Sequence, residues 1–288
     1  MLMRVSLWSQ FAILVKMLYA PIGIMGALYD ISCPASLSNA GFAWEFLRRN
    51  PNYRIAYERS RASTHLPHKI SSGGSYIRLK NPSKAAEKWG LQSFANPDLD
   101  YLQAHVFWTH EAFNQWLPIE FGHERASNLS EKSIRFSDIS CTRHHLITKD
   151  GRRETVLKSP FFWLQLHGQP PSPTKENSRI IIQIDGRSGM RRRLEVLQFL
   201  ADLRDNKPYN DVIKTRSQMF KNLQFYLKIL DLKPLEMSYK DMSALIIGKH
   251  RTQADWDSDG CSLKSKMVRG TTRAMELMQS DYLNLLTR

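Results

Sequence analysis

The sequence predicts an α+β protein, in which an N-terminal region of short helices and an antiparallel sheet is followed by an all-α C-terminal domain with a helix-turn-helix. Three stretches of hydrophobic pattern predict this class. The pattern is helical over residues 41–62, alternates with a period of two over 134–185, and is helical again from residue 191. We therefore divide the 288 residues into an apolar leader (1–40), an α+β domain (41–186) and a helical domain (187–288).

The leader has an uncharged run over residues 17–29. That run is shorter than the ~20 apolar residues that a membrane span needs. Lys16 also interrupts the apolar stretch that a signal peptide requires. We expect a poorly ordered leader or an added helix, and a later translation start at Met17 or Met25 stays open as an alternative.

Residues 41–62 predict two short helices that are separated at Asn50-Pro51, because the residue before a proline is disfavoured in a helix. Their aromatic residues are expected to pack in a core, while Arg48 and Arg49 are either solvated or in contact with DNA. Residues 63–83 are rich in Ser, Gly and Pro and predict a flexible loop, and residues 82–90 predict a brief helix.

Short runs rich in aromatic and β-branched residues predict strands. These runs are residues 105–108, 134–136, 145–148, 155–158, 162–166 and 180–184. Residues 149–152, Lys-Asp-Gly-Arg, form a hairpin turn signal between two of them. The section from 134 to 185 is therefore expected to be an antiparallel sheet.

Two longer helices follow the sheet. The first covers residues 191–205 and has leucines at helical spacing on its inner face, namely Leu194, Leu197, Leu200 and Leu203. The second begins at Asp211 or Thr215 and ends at Leu232, before Lys233-Pro234. Together with the helices beyond them, they predict a compact helical domain.

The stretch 238–278 predicts two further helices separated by a polar spacer. Ser238 is a candidate N-cap of the first helix and Gly248 ends it. The second helix has an apolar side formed by Leu263, Met267, Ala274 and Leu277. Its cations Lys266, Arg269 and Arg273 recur every three or four residues on another face. This is the pattern of a helix-turn-helix, whose second helix enters the major groove of DNA.

Two residues qualify this pattern. Trp256, in the spacer, is expected to anchor the turn between the two helices. Gly270 lies in the middle of the second helix and is expected to weaken or bend it, because glycine is a poor helix former.

The chain is strongly basic, with a net charge of +14 and an isoelectric point near 9.8. The excess is +7 in residues 1–80, +1 in residues 81–188 and +6 in residues 189–288. Such a balance favours an anionic partner, either nucleic acid or an acidic membrane surface. The adjacent Arg191, Arg192 and Arg193 begin a helix, where the dipole disfavours cations, so they suggest an anionic neighbour or a solvated surface.

No motif in the sequence predicts catalysis. Cys33, Cys141 and Cys261 are far apart and imply neither a disulfide framework nor a paired zinc motif. Two local clusters lack the spacing of a metal or nucleophile site, namely Cys141 with His144 and His145, and His105 with His110 and Glu111. Gly186 and Gly189 lack the rest of a nucleotide-binding loop. We therefore expect no metal, no cofactor and no enzymatic activity.

The segment GFAWEFLRRNPNYRIAY, from Gly41 to Tyr57, resembles the N-terminal signature of a family of bacterial transcriptional-regulator-like proteins, which includes FseA, QseM and the virulence activator RovC. The chain from about Arg191 is similar to the accompanying domain of that family. The matching features there are Ser-Tyr-Lys-Asp-Met at Ser238, Ala-Asp-Trp at Ala254 and the basic helix from Ser262.

The resemblance implies an atypical transcriptional activator of virulence or mobile-element genes. It would bind double-stranded promoter DNA as a homo-oligomer, such as a hexameric ring, with RNA polymerase as a further partner. The expected location is the cytoplasm, at the nucleoid, without membrane attachment. Because one family member inhibits an activator, a protein-interaction module that binds another regulator is the alternative.

The residues expected to contact DNA fall into two groups. Those of the second helix would face the groove, namely Lys264, Lys266, Arg269, Thr272 and Arg273. Those elsewhere would hold phosphates, namely Arg48, Arg49, Arg191, Arg192 and Arg193.

Overall fold

The structure is a computed structural model of the chain. It describes residues 37–60, 67–70, 74–122, 139, 141–159, 162–169, 179–182, 190–205, 217–256 and 262–287. Several predictions fall outside these residues. They concern the leader up to residue 36, the strand at 134–136, Gly186, Gly189, Cys33 and Cys261.

The chain divides into two compact units. One, called the helical unit here, contains Lys221–Met275, and the other, called the sheet unit, contains Ser36–Phe220 together with Glu276–Arg288. The helical unit is therefore inserted, along the sequence, between two segments of the sheet unit. The predicted domain boundaries at residues 40/41 and 186/187 stay predictions.

Seven strands form one sheet within the described part of the chain. They are β1 (His68–Lys69), β2 (Ser75–Arg78), β3 (Trp116–Gly122), β4 (Thr142–Ile147), β5 (Arg153–Lys158), β6 (Trp163–Gln169) and β7 (Arg179–Ile182). Their order is β1-β2-β4-β5-β6-β3-β7. Strands β4, β5 and β6 form an antiparallel meander, whereas β2 pairs with β4 and β3 with β6 in parallel.

The sheet is therefore mixed, and the prediction of an antiparallel sheet is wrong for two of its pairings. Parallel neighbours need a long crossover, and the chain provides one between β2 and β4 and another between β3 and β6. The alternation of apolar residues reports that a segment is a strand, but it carries no information on the direction of its partner. The fold is mixed α/β, with a helical C-terminal region.

Strands β4 to β7 lie where the alternating pattern predicts them, and the turn at 149–152 joins β4 to β5 as expected. Gly151 has a φ of 83°, which a glycine adopts without strain. Two local predictions are wrong. Residues 105–108 form only an isolated bridge from Trp108 to Leu91, and residues 63–83 contain β1 and β2 instead of one loop.

Helix α4 (Met190–Arg204) packs on this sheet, following α1 (Asn39–Leu47), α2 (Pro51–Ser60) and α3 (Lys84–Glu87) in the chain. The core beneath α4 consists of apolar side chains from the sheet and from the helix, namely Leu117, Ile119, Ile139, Leu157, Phe162, Leu164, Leu166, Ile180, Val196 and Leu200. Leu194 was expected on the inner face of α4, but 46% of it is exposed, while Val196 is buried.

Helices α1 and α2 confirm the predicted helical pair with its aromatic core. Phe42, Trp44 and Phe46 are fully buried. Ser38 caps α1, since its hydroxyl accepts a hydrogen bond from the Gly41 N–H at 3.1 Å. Asn50, between the helices, donates from Nδ2 to the Met278 carbonyl at 2.9 Å, which ties this pair to residues late in the sequence.

The remaining helices are α5 (Ser217–Leu232), α6 (Tyr239–Ile247), α7 (Lys249–Trp256), α8 (Ser262–Glu276) and α9 (Leu283–Leu286). A short 3₁₀ turn (Lys233–Leu235) follows α5, and a π-helical turn (Leu277–Asp281) follows α8. No helix in the described ranges is both long and apolar enough to cross a membrane.

Candidate nucleic-acid interface

Helix α8 has the apolar side that the sequence predicts. Leu263, Met267 and Ala274 are buried, at 6%, 0% and 0% exposure, and they recur at intervals of four and seven residues. Within the helical unit this side faces α5, because Phe225 and Ile229 of α5 lie against the backbone at Gly270. The remaining surface of α8 includes exposed side chains, among them Lys264, Lys266 and Arg269.

Gly270 does not interrupt the helix, and the expected weakening or bend there stays a prediction. Helix α8 runs continuously from Ser262 to Glu276. A Cβ atom at position 270 would lie 2.6 Å from Cε1 of Phe225 and 3.1 Å from Cδ1 of Ile229. A larger side chain would therefore need Phe225 or Ile229 to move, so glycine is favoured where the two helices approach closely.

The cations of α8 do not all share one face. An ideal helix turns by roughly 100° per residue, so Lys266, Arg269 and Arg273 lie within an arc of about 60°. Lys264 lies about 180° from Arg273, and Thr272 about 100° from it. Lys266 and Arg269 are exposed and Arg273 is half-buried. Lys266, Arg269 and Arg273 thus form one surface of α8, the cationic face.

One member of the cationic face also contacts the scaffold. The Lys266 ammonium lies 5.2 Å from the centroid of the Phe225 ring, within cation–π range. Thr272 donates from its hydroxyl to the Val268 carbonyl at 3.3 Å, so its hydrogen is engaged within the helix. Arg269 is the exposed arginine of the cationic face, and its contact with DNA stays a prediction.

The first part of the predicted spacer, Lys249–Trp256, is helical, so the prediction of a polar turn is wrong for these residues, while residues 257–261 lie outside the described part of the chain. Helix α6 begins at the Ser238 N-cap and ends at Gly248, as predicted, and α7 follows at once. The Ser243 and Thr252 hydroxyls lie 3.0 Å apart and link the two helices. Trp256 is the last residue of α7.

This arrangement places three helices, α6, α7 and α8, where the sequence predicts two. The predicted helix-turn-helix is therefore not confirmed, because α7 lies between α6 and α8 along the chain. A sequence-based signal for α7 is weak, because its residues are mostly polar and Thr252 alone is buried.

The three arginines of α4 have separate surroundings. Arg193 lies over the Trp116 ring of β3, 5.2 Å from its centroid, and is half-buried. Arg191 is exposed on the same helix, and the side chain of Arg192 lies outside the described residues. The cluster therefore includes one cation that stacks on an aromatic ring, and contact with phosphate stays a prediction.

Arg48 and Arg49 both pair with Glu45 of the same helix. Oε2 of Glu45 accepts from Arg48 Nε at 2.6 Å and from Arg49 Nη1 at 2.5 Å. Burial raises the pKa of Glu45, but the two guanidinium groups outweigh that effect and hold it below its usual value. The fold thus accounts for both cations without a nucleic acid, and their contact with phosphates stays a prediction.

Polar side chains of the sheet unit form clusters that sequence reasoning missed. The Ser75 hydroxyl lies 2.6 Å from His105 Nε2 and 2.8 Å from His144 Nδ1. His145, on the other face of β4, contacts Arg153 and Thr155 instead. The adjacent histidines therefore point to opposite faces, as the strand geometry predicts.

The sheet unit also contains two buried ionisable side chains, Lys158 and Glu154. Lys158 donates to the carbonyls of Tyr101 and Ala104, at 2.7 and 2.6 Å, and burial lowers its pKa to about 7. Burial raises the pKa of Glu154, but hydrogen bonds from His110 and His167 outweigh it and lower the pKa to about 2. No sequence motif marks these groups, because their partners lie on separate strands and loops.

Two segments of the chain match protein-family models. Residues 30–93 match the model of a proteobacterial transcriptional regulator-like domain. Residues 183–287 match a model described as a T6SS transcription factor DNA-binding domain, and this segment contains α8 with its cationic face. A comparison with curated proteins gave no match. The expected resemblance to bacterial transcriptional regulators is thus confirmed.

Proposed function

From the premise that the chain combines a proteobacterial transcriptional regulator-like domain with a DNA-binding domain of transcription factors, we propose that it is an activator at bacterial promoters. It contacts DNA through the cationic face of α8. The observation that carries this proposal is the exposure of Lys266 and Arg269 on a helix whose apolar side is packed against α5. The protein acts as a regulator at the nucleoid and not as an enzyme.

The chemistry of the cationic face suits major-groove recognition. An arginine forms a bidentate contact with O6 and N7 of guanine, whereas a lysine provides a point charge for phosphates. We assign base contact to Arg269 and Arg273, and backbone contact to Lys266. The net charge of +14 adds a general attraction for DNA and favours rapid association.

The test is DNA affinity of the full-length protein with Arg269→Ala and Arg273→Ala combined. The probe is a genomic fragment recovered by pull-down with the wild-type protein. Each lost bidentate contact is worth about 1–3 kcal/mol, so we expect affinity to fall by a factor on the order of 10² or more. The matched control is Lys84→Ala with Lys88→Ala, which removes the same charge from exposed positions of the sheet unit.

Two results would separate the possible outcomes. Arg269→Lys retains the charge but not the bidentate geometry, so it should reduce the preference for the selected sequence more than the affinity for unrelated DNA. Equal affinity of the double variant and the lysine control would refute the assignment of the cationic face.

A second candidate function, binding to another regulator, is favoured by exposed apolar side chains of the helical unit. Leu245 on α6 is 50% exposed and Val268 on α8 is 43% exposed. Binding through such residues depends weakly on salt. DNA binding instead weakens with a log-log slope of about −0.9 for each neutralised phosphate. If the affinity for DNA falls steeply as the salt concentration rises, the first function is favoured. If the protein instead binds another regulator with an affinity that hardly changes with salt, the second is favoured.

The resemblance also supports a homo-oligomer, such as a hexameric ring, and contact with RNA polymerase. Sedimentation of the full-length protein with and without its DNA fragment measures the oligomer directly. A footprint much longer than one major-groove contact is expected if several subunits engage DNA together.

A further inference from the structure

Three side chains of the sheet unit converge at one point although they are distant in sequence. His110 lies in the loop before β3, Glu154 is on β5 and His167 is on β6. Their ligand atoms all lie within 4.8 Å of one another. Glu154 and His167 are direct cross-strand partners in the antiparallel register, so the sheet itself fixes two of the three positions.

Both imidazole groups approach the same carboxylate oxygen. His110 Nε2 lies 3.1 Å from Glu154 Oε1, and His167 Nδ1 contacts that oxygen as well. Two imidazole nitrogens and one carboxylate oxygen are the donor set of many zinc sites, and of non-haem iron sites. Ligand atoms of a tetrahedral zinc site lie about 3.3–3.5 Å apart, given metal–ligand distances of ~2.0–2.1 Å. Small rotations of the side chains would therefore complete the geometry.

Neighbouring residues hold these ligands in place, as outer-shell groups do in metal sites. Gln165 donates from Nε2 to the second carboxylate oxygen of Glu154 at 3.2 Å and to the Trp108 carbonyl at 2.8 Å. The Trp116 ring stacks on His110, with the centroids 4.4 Å apart and the planes 16° from parallel. The carboxylate and one imidazole are thus oriented by contacts that do not involve an ion.

The cluster is accessible from one side. The side chain of Glu154 is 3% exposed, while those of His110 and His167 are 28% and 26% exposed. An ion can therefore enter past the imidazole rings and keep a water molecule as a further ligand. Among the residues that the structure describes, this is the group whose side chains meet the requirements of a metal site.

We propose that His110, Glu154 and His167 bind a divalent transition-metal ion, with Zn²⁺ as the probe. The ion joins β5, β6 and the loop before β3. This inference does not rest on DNA binding, so the two proposals can fail independently.

The experiment uses the full-length, tag-free protein after treatment with a chelator and removal of that chelator. Zn²⁺ alone is titrated against a chromophoric competitor, and the bound metal is counted by elemental analysis. We expect one tight site per chain in the wild type. Loss of an outer-shell partner weakens metal binding by about 10–100-fold. We expect a larger loss of Zn²⁺ affinity when a ligand itself is replaced, in each of His110→Ala, Glu154→Gln and His167→Ala. His250→Ala, which removes an exposed histidine of α7, is the matched control and should bind as the wild type does.

Two wild-type readouts keep the proposal testable if a variant fails to fold. Co²⁺ in place of Zn²⁺ should give the visible absorption of a low-coordinate site with nitrogen and oxygen ligands. Zn²⁺ should also raise the unfolding temperature in a concentration-dependent way, because it binds the folded state. The proposal is wrong if the wild-type protein binds Zn²⁺ no more tightly than Glu154→Gln does. It is also wrong if the wild-type protein shows neither the Co²⁺ absorption nor the rise in unfolding temperature, because the cluster is then only hydrogen-bonded.

Discussion

The ring of Phe225 lies against the backbone of Gly270, so close that a Cβ atom at Gly270 would be 2.6 Å from Cε1 of the ring. This contact joins α5 to α8 within the helical unit. The same ring faces the Lys266 ammonium at 5.2 Å. Phe225 therefore packs against the backbone of α8 and also contacts Lys266 of the cationic face.

Replacing Gly270 by alanine should destabilise the helical unit. Alanine is favoured over glycine in a helix by about 0.5–1 kcal/mol, but overpacking a close contact typically costs about 1–3 kcal/mol. We expect the free energy of unfolding to fall by about 1 kcal/mol. Urea unfolding monitored by circular dichroism measures this change.

The double variant Phe225→Leu with Gly270→Ala measures how much of the destabilisation comes from contact between the new Cβ atom and the Phe225 ring. In the Phe225→Leu background the space beside position 270 is larger, so alanine should be neutral or stabilising by up to ~1 kcal/mol. A double-mutant cycle gives the coupling between the two sites. Additive effects would mean that the ring does not select glycine.

Glu45→Gln should destabilise the sheet unit through the arginines that it leaves unpaired. The carboxylate is 7% exposed and accepts hydrogen bonds from Arg48, Arg49 and the Tyr101 N–H. Removing one partner of a buried ion pair costs about 3–5 kcal/mol. We expect about 2–3 kcal/mol, below that range, because the arginine side chains are 20% and 18% exposed.

The pH dependence of this pair has a definite sign. Because the folded-state pKa of Glu45 is lowered, its stabilising effect is present above the unfolded-state pKa and is lost as pH falls through the folded-state pKa. The difference in the free energy of unfolding between Glu45→Gln and the wild type should therefore be smallest at acidic pH. Asp98→Asn is the matched control, since its exposed pair with Arg54 should contribute at most about 1 kcal/mol. A similar loss in both variants would contradict the buried-pair explanation.

Lys158 should make the wild-type protein more stable as pH rises from neutral. Burial lowers its folded-state pKa to about 7, so between that value and the usual value of 10.5 the unfolded chain binds more protons. The free energy of unfolding then increases with pH over this interval. In Lys158→Met that increase should be reduced, even if the lost hydrogen bonds to Tyr101 and Ala104 lower the stability at every pH.

The comparison uses urea unfolding at several values between pH 7 and pH 9.5. Lys84→Met, at an exposed position, should retain the wild-type slope. If the slope of Lys158→Met equals that of wild type, the lysine is not the group that titrates.

Much of the secondary structure can be predicted from the sequence, because local periodicity determines it. The ends of α6 at Ser238 and Gly248 follow from capping chemistry, and the buried positions of α8 follow from helical spacing. Helix α7 is missed, since a polar helix that buries little has no periodic signal.

The partners of strands and of charges cannot be predicted in this way. The parallel pairing of β3 with β6 joins segments from separate parts of the chain. Glu154 lies beside His167 because the register of β5 and β6 pairs the two residues. It lies beside His110 because the loop before β3 brings that histidine to the same point. Gly270 was expected to weaken a helix, whereas its role depends on Phe225, some forty-five residues earlier in the chain. Such relationships depend on tertiary contacts that no local pattern encodes.

The insertion of Lys221–Met275 between two segments of the sheet unit has a consequence for biosynthesis. Tyr282, Leu285 and Leu286 are buried in the sheet unit, and the Tyr282 hydroxyl contacts the Trp89 carbonyl. Because chains emerge from the ribosome N-terminus first, the helical unit can fold while the larger unit still lacks these side chains. The exposed apolar surface that they will cover must then persist for the whole time needed to translate the insertion, which makes this interval the point at which the nascent chain would most need a chaperone.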